Sequence, residues 1–264
     1  MSFKTEVLNV LGDLTSDAEH VSVNILAAPN ATSIVENALW DLANLLPPET
    51  LLKVSEERTA DDETILLEKE TRVLFIQRRD DSTGGTLYFP CKEIPYHQHQ
   101  KSIDPDSIYH ATNQSPVWYI TGNTSNSTQN FGDISVYPGS ATTKVWWYQK
   151  QTVKNCTTDT TVDAPTADSN GHFFWDGAAD ATATLGDPAV AYYNYALPHF
   201  FPREAIYALQ LLCASRLVNQ YLADAALSEE DGEIIGLSKA SLDAIDVEFK
   251  IQLDRLGVKK GDGK

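Results

Sequence analysis

Pro202-Arg203-Glu204-Ala205-Ile206-Tyr207-Ala208-Leu209-Gln210-Leu211-Leu212-Cys213-Ala214-Ser215-Arg216-Leu217-Val218 decides how the chain is read. Proline suits the first turn of a helix, where its missing N–H has no partner to lose. Ala205, Leu209, Leu212 and Arg216 then follow one helical line, and Ile206, Cys213, Val218 and Tyr221 widen the apolar face. The spacing predicts a helix over 203–225, roughly 34 Å long at 1.5 Å per residue. The acidic Ser228-Glu229-Glu230-Asp231-Gly232 separates it from a second helix expected from Ser238. There Leu242, Ile245, Phe249, Leu253 and Leu256 recur at three- and four-residue spacing, and Gly257 supplies a stop. Two such amphipathic helices in succession should pack antiparallel.

Working back from this hairpin, the period changes. Thr152 to Ala189 is rich in Thr, Asp, Ala and Gly and reads as a long loop with a small hairpin around His172-Phe173-Phe174-Trp175. A loop of that length is usually functional or an interaction arm. Strands are expected at Thr71–Ile76, Thr86–Phe89, Pro116–Thr121, Asp133–Tyr137 and Thr143–Lys150. The turn Asp80–Gly85 closes the first pair, and Gly122–Gly132 forms a polar tip. At the other end, Lys4–Leu11 reads as a short helix ended by Gly12. Ser33-Ile34-Val35-Glu36 has capping-box spacing before the apolar line Val35, Leu39, Leu42, Leu46, and Pro47-Pro48 stops that helix.

The expected fold is therefore α+β, with N- and C-terminal helices forming a helical base and a strand-rich module inserted between them. The expected boundaries are 1–64 and 196–257 for the two helical parts, 65–195 for the insertion, and 258–264 for a disordered tail.

Charge and motifs narrow the function. With 37 acidic against 20 basic residues the formal net charge is −17, the wrong sign for gripping phosphates. No run approaches the ~20 apolar residues of a membrane span. The opening Met1–Glu6 lacks a basic stretch followed by an apolar run, so the chain is expected to be made and folded in a cytoplasm. On that expectation the N-x-[ST] sites at Asn30, Asn113, Asn123, Asn126 and Asn155 mark polar loops. Cys91, Cys156 and Cys213 are too scattered for a disulfide framework or a zinc site, and Cys213 belongs on an apolar helix face.

His97-Gln98-His99 could present two imidazoles on one strand face, a weak metal candidate without a third ligand. Asp168-Ser169-Asn170-Gly171 begins like a calcium loop but lacks the later bidentate acid and reads as an Asn-Gly turn. There is no nucleophile elbow, phosphate loop or dinucleotide fingerprint. No enzyme and no cofactor is expected. Trp118, Tyr119, Trp146 and Trp147 make the strands aromatic. They fit a packed core, or alternatively the stacking platform of a carbohydrate-binding recognition module.

Three stretches carry a resemblance. They are Leu45-Leu46-Pro47-Pro48-Glu49-Thr50-Leu51-Leu52 after the Ile34 helix, the aromatic strands of Ser107–Ile120, Asp133–Pro138 and Thr143–Tyr148, and the proline-led Leu197–Ile206 running into the Ala-rich Ala208–Leu217. In this order they resemble the head–tail adaptor, or connector, proteins of tailed bacteriophages. The long Thr152–Ala189 and Gly122–Gly132 segments depart from that pattern, which leaves a neighbouring tail-completion subunit as the alternative.

The resemblance implies a virion neck protein assembled in the host cytoplasm. It implies a homo-oligomeric ring, commonly of twelve copies, between the portal protein and tail or tail-completion proteins. DNA would pass through the ring without specific binding, and no membrane is involved. Twelve copies would carry about −200 formal charges, enough to repel DNA from a lumen. On this reading Ile206, Leu209, Leu212, Leu242, Ile245, Phe249 and Leu253 are the candidates for oligomer and portal interfaces.

Overall fold

The computed structural model describes residues 3–11, 30–60, 64–68, 70–80, 87–121, 130–139, 141–150, 153–154, 173–174, 201–228 and 232–258. Outside them lie the expected turn residues 81–85, most of the 122–132 tip, most of the 152–189 segment, the acidic link 229–231, Cys156 and the 259–264 tail. The fold is α+β, helical at both ends and strand-rich in the middle. It divides into a helical unit of residues 1–47 with 150–264 and a β unit of residues 48–149.

In the helical unit, α1 (Phe3–Leu11) and α2 (Asn30–Leu45) both pack on α5 (Ile206–Ser228), as does α6 (Gly232–Arg255). Phe3, Val7 and Leu11 fall at four-residue intervals on α1, and all are buried. On α2 the expected line Val35, Leu39, Leu42, Leu46 is buried without remainder. Because α5 meets a neighbour on three sides, it is apolar around most of its circumference, with Leu209, Leu211, Cys213, Ala214, Leu217, Val218 and Tyr221 buried. Burying a leucine of this kind stabilises by about 1.5–3 kcal/mol.

Polar ties pin the helices. The Gln210 amide donates to Glu6, the Arg216 guanidinium donates to Asp41, and the Ser215 hydroxyl donates to Asp246 Oδ1 at 2.8 Å. Ser215 and Asp246 stand at nearly equal chain distances from the link at 229–231, so α5 and α6 run antiparallel. A 3-10 turn at Arg203–Ala205, directly after Pro202, leads into α5. Gly257 ends α6 at φ +75°, with its N–H on Asp254 O and that of Val258 on Leu253 O, the paired pattern of a Schellman stop.

Three expectations change in this unit. Helix α2 begins at Asn30, so Ser33 and Glu36 lie inside it and are no capping box. Helix α6 begins at Gly232, six residues before the expected Ser238. Phe173-Phe174 pairs in parallel with Val153-Lys154 as a two-residue ribbon, β10 with β9, in place of the expected local hairpin.

The β unit opens with a short helix, α3 (Pro48–Leu51), and a 3-10 turn. Its strands are β1 (Glu56–Ala60), β2 (Thr64–Glu68), β3 (Thr71–Arg79), β4 (Tyr88–Pro90), β5 (Lys92–Glu93), β6 (Val117–Thr121), β7 (Asn130–Tyr137) and β8 (Thr143–Gln149). A helical turn at Tyr96–Gln98 and helix α4 (His99–Ile103) lie between β5 and β6. One sheet has the order β1-β8-β3-β4, the other β2-β7-β6-β5. Within these two sheets every described pairing is antiparallel except β5 with β6.

Ile65, Trp118, Ile134 and Val136 from one sheet meet Ile76, Val145 and Trp147 from the other in a single core. Close approach of backbones fixes a glycine at 132, where a Cβ would stand 2.8 Å from Thr121 O. The β unit begins earlier than the expected residue 65, because Glu56–Ala60 is an edge strand paired to β8, and it ends at Gln149 rather than at 195.

Candidate interaction surface

The residues expected to carry function are distributed unevenly between core and surface. Trp118 and Trp147 are buried and belong to the core, whereas Tyr119 and Trp146 are half-buried. Strand alternation sends Val145 and Trp147 inward, and Trp146 lies half-buried against Phe75, ring centroids 5.5 Å apart. The Trp147 indole N–H donates to Glu56, and the Arg58 guanidinium lies 5.3 Å from its ring centre.

His97 and His99 occupy a helical turn and the start of α4, not a strand face. His99 Nδ1 is 2.8 Å from Tyr96 O, and a carbonyl only accepts, so Nδ1 carries the proton. Its Nε2 then accepts from the Gln100 amide at 3.2 Å. With both ring nitrogens engaged, His99 is held as a structural ring, stacked on Tyr96 at 4.8 Å and tilted against Tyr119 at 5.5 Å between ring centroids. Among the described residues no group of three His, Cys, Asp or Glu side chains gathers at metal-binding distance.

The connection between β5 and β6 also exposes apolar side chains that the sequence reading overlooked. Ile108 is 91% exposed, and Tyr96, Ile103 and Tyr109 in the same connection are exposed as well. Lys101 lies over the Tyr109 ring at 5.9 Å. Ile108 and Tyr109 rim a cleft of about 300 Å³ whose wall includes Lys92, Ser102, His110 and Val117. His110 Nδ1 is buried there and has no hydrogen-bond partner. Single exposed apolar residues are ordinary, but the adjacent pair Ile108 and Tyr109 at the mouth of a cleft offers a contact surface. The one signal available in sequence was apolar residues without periodicity in a polar stretch.

The helical unit has its own exposed features. Ile206, Leu209 and Ile245, expected at an interface, are buried within the chain, while Leu212, Leu242, Phe249 and Leu253 are half-buried along the same packing face. Their burial belongs to the fold of one copy. What α6 does expose is the opposite side, Ala240, Ala244, Val247 and Ile251, with Val247 57% and Ile251 40% exposed. Next to it, Glu6, Asn9, Tyr207, Gln210, Ala244 and Glu248 line an open groove of about 680 Å³ between α1, α5 and α6.

Of the two described thiols Cys213 is buried and Cys91 half-buried, and both resist ionisation. Burial pushes Cys91 up to about 12, against an opposing pull from Arg78, and raises fully buried Cys213 further still. None of the described helices is long and apolar enough to cross a membrane. Comparison with family models, with curated proteins and with solved structures finds no match for this chain.

Proposed function

We propose that the chain is a non-catalytic virion structural subunit, the head–tail adaptor of a phage neck. It forms an oligomeric ring between portal and tail through which DNA passes. The observation that carries this reading is the division of the chain. Helices from both ends build one unit, and a β-sandwich is inserted between them, the arrangement implied by the motif order that resembles connector proteins.

Two further features support it. The −17 charge suits a wall that DNA must pass without sticking. Each unit also keeps apolar side chains exposed in groups, as a subunit with several neighbours requires. The portal and the next tail component would meet the Ile108–Tyr109 surface, and neighbouring copies the helical unit.

The test is mass by light scattering of the purified protein, alone and mixed with portal particles, with negative-stain images of the mixture. Rings seated on portals are expected. A monomer that leaves portal particles bare overturns the proposal.

A further inference from the structure

The outer face of α6 carries a charge pattern that specifies a partner. Ala240, Ala244, Val247 and Ile251 repeat at alternating four- and three-residue steps, so they form a seam opposite the face that holds Ile245 against the rest of the helical unit. Asp243 and Lys250 flank the seam on one side, and Glu248 and Arg255 flank it on the other. Asp243, Lys250 and Arg255 are exposed. Glu248 is half-exposed and accepts one bond, from Gln252, which leaves its other acceptor sites open.

The two possible directions of self-pairing give opposite signs. In a parallel pair, flanking residues meet about five positions apart. Asp243 would then face Glu248 of the second copy and Lys250 would face Arg255, like charge on like charge at every flank. In an antiparallel pair with Val247 opposite Ile251, each flank meets its own kind. Asp243 then faces Lys250, Glu248 faces Arg255, and the two-fold axis repeats both attractive contacts. Asp254, the next seam position, falls opposite Ala244 at the wet margin of the contact.

We propose that two copies of this chain associate about a two-fold axis through antiparallel α6 helices, in the register Val247 against Ile251. The contact is isologous and closes at two copies. Its apolar centre is small, two Val–Ile layers, which places it among weak, reversible interfaces. The proposal rests on α6 alone and does not need the neck assignment.

Sedimentation equilibrium on the full chain over a wide concentration range tests it, with circular dichroism as the check on folding. A reversible monomer–dimer equilibrium is expected. Lys250→Glu places like charges at both symmetric Asp243 contacts and should weaken the dimer by about tenfold or more. Asp243→Lys combined with Lys250→Glu restores the sign and should recover it. Both positions of change are exposed, so folding is expected to survive.

A monomer at every concentration overturns the proposal. So does a dimer indifferent to Lys250→Glu, or a double variant as weak as the single one. A larger closed ring insensitive to these charges overturns the pairing while supporting the neck reading, so the two proposals fail separately.

Discussion

Replacing Arg78 by methionine should unfold the β unit far more readily than its surface charge count implies. Arg78 is 3% exposed on β3. Its guanidinium donates to Pro138 O, to Gly139 O at 2.9 Å and to Arg79 O at 3.0 Å. It thereby fastens the chain between β7 and β8 to the neighbouring strand. Hydrogen bonds from a charged donor contribute about 1.5–3 kcal/mol each, and a buried carbonyl left without a donor costs about 1–3 kcal/mol. The three bonds share one side chain, so they do not add in full, and a loss of about 3–5 kcal/mol is the expectation.

Methionine keeps the volume and the apolar stem, which isolates the polar contribution. For a unit of roughly 100 residues unfolding with a urea slope of about 1–1.5 kcal/mol/M, the midpoint should fall by about 2–5 M. Trp118, Trp146 and Trp147 lie in this unit and Trp40 on α2, so fluorescence of a Trp40→Phe background follows chiefly the sandwich, while ellipticity at 222 nm follows the helices. Arg78→Lys should recover part of the loss, since an ammonium cannot span all three carbonyls. A fluorescence midpoint for Arg78→Met within about 0.5 kcal/mol of the parent would refute the reasoning.

Further outcomes can be measured on the same protein. Leu209→Ala, at a position with no exposure at the centre of the helical unit, should cost about 3–5 kcal/mol, seen at 222 nm. Gly257→Ala forces a side chain into φ +75° and should cost about 1 kcal/mol in the same assay, whereas an unstrained site would gain slightly. Both thiols have folded values raised above their unfolded ones, so the stability they contribute is complete below about pH 8.5. For Cys91 it is lost as pH rises towards 12, and between those limits each thiol steepens the decline by at most about 1.4 kcal/mol per pH unit. Cys91→Ala and Cys213→Ala should flatten the pH dependence of the urea midpoint above pH 9; an unchanged slope refutes the assignment. Iodoacetamide at pH 8 should spare Cys91 and Cys213 in the folded protein and modify both in urea.

Sequence patterning read the apolar helix lines well, because burial on one face forces a three- and four-residue period. It missed what breaks that correspondence. Strand β1, Glu56-Glu57-Arg58-Thr59-Ala60, has no alternation since it lies at a sheet edge with Glu56, Glu57, Arg58 and Thr59 exposed. Arg78 and Asp80 share the inward face of β3 with Ile76, and charged residues at core positions carry no hydrophobic signal. The acidic Ser228–Gly232 stretch made the first turns of α6 look like linker, although helix begins at Gly232 and continues through Gly236. The Ser-x-x-Glu spacing at 33–36 is as compatible with a helix interior as with a start. The surface at Ile108 was hidden for a different reason: Ile108 and Tyr109 stand in a loop without period, and only the fold sets them at the mouth of a cleft walled by Lys92, Ser102 and Val117. The outer seam of α6 was present in the sequence, overshadowed by the stronger line through Leu242.

The pairing of Glu56 with Trp147 places the first strand residue of the β unit beside nearly its last. The chain therefore arrives and departs at neighbouring points, and to the helices the whole sandwich is one long loop with its ends already joined. Shortening such a loop from about 100 residues to about 8 changes its closure entropy by only about 2 kcal/mol. Helices and sandwich can consequently diverge at different rates.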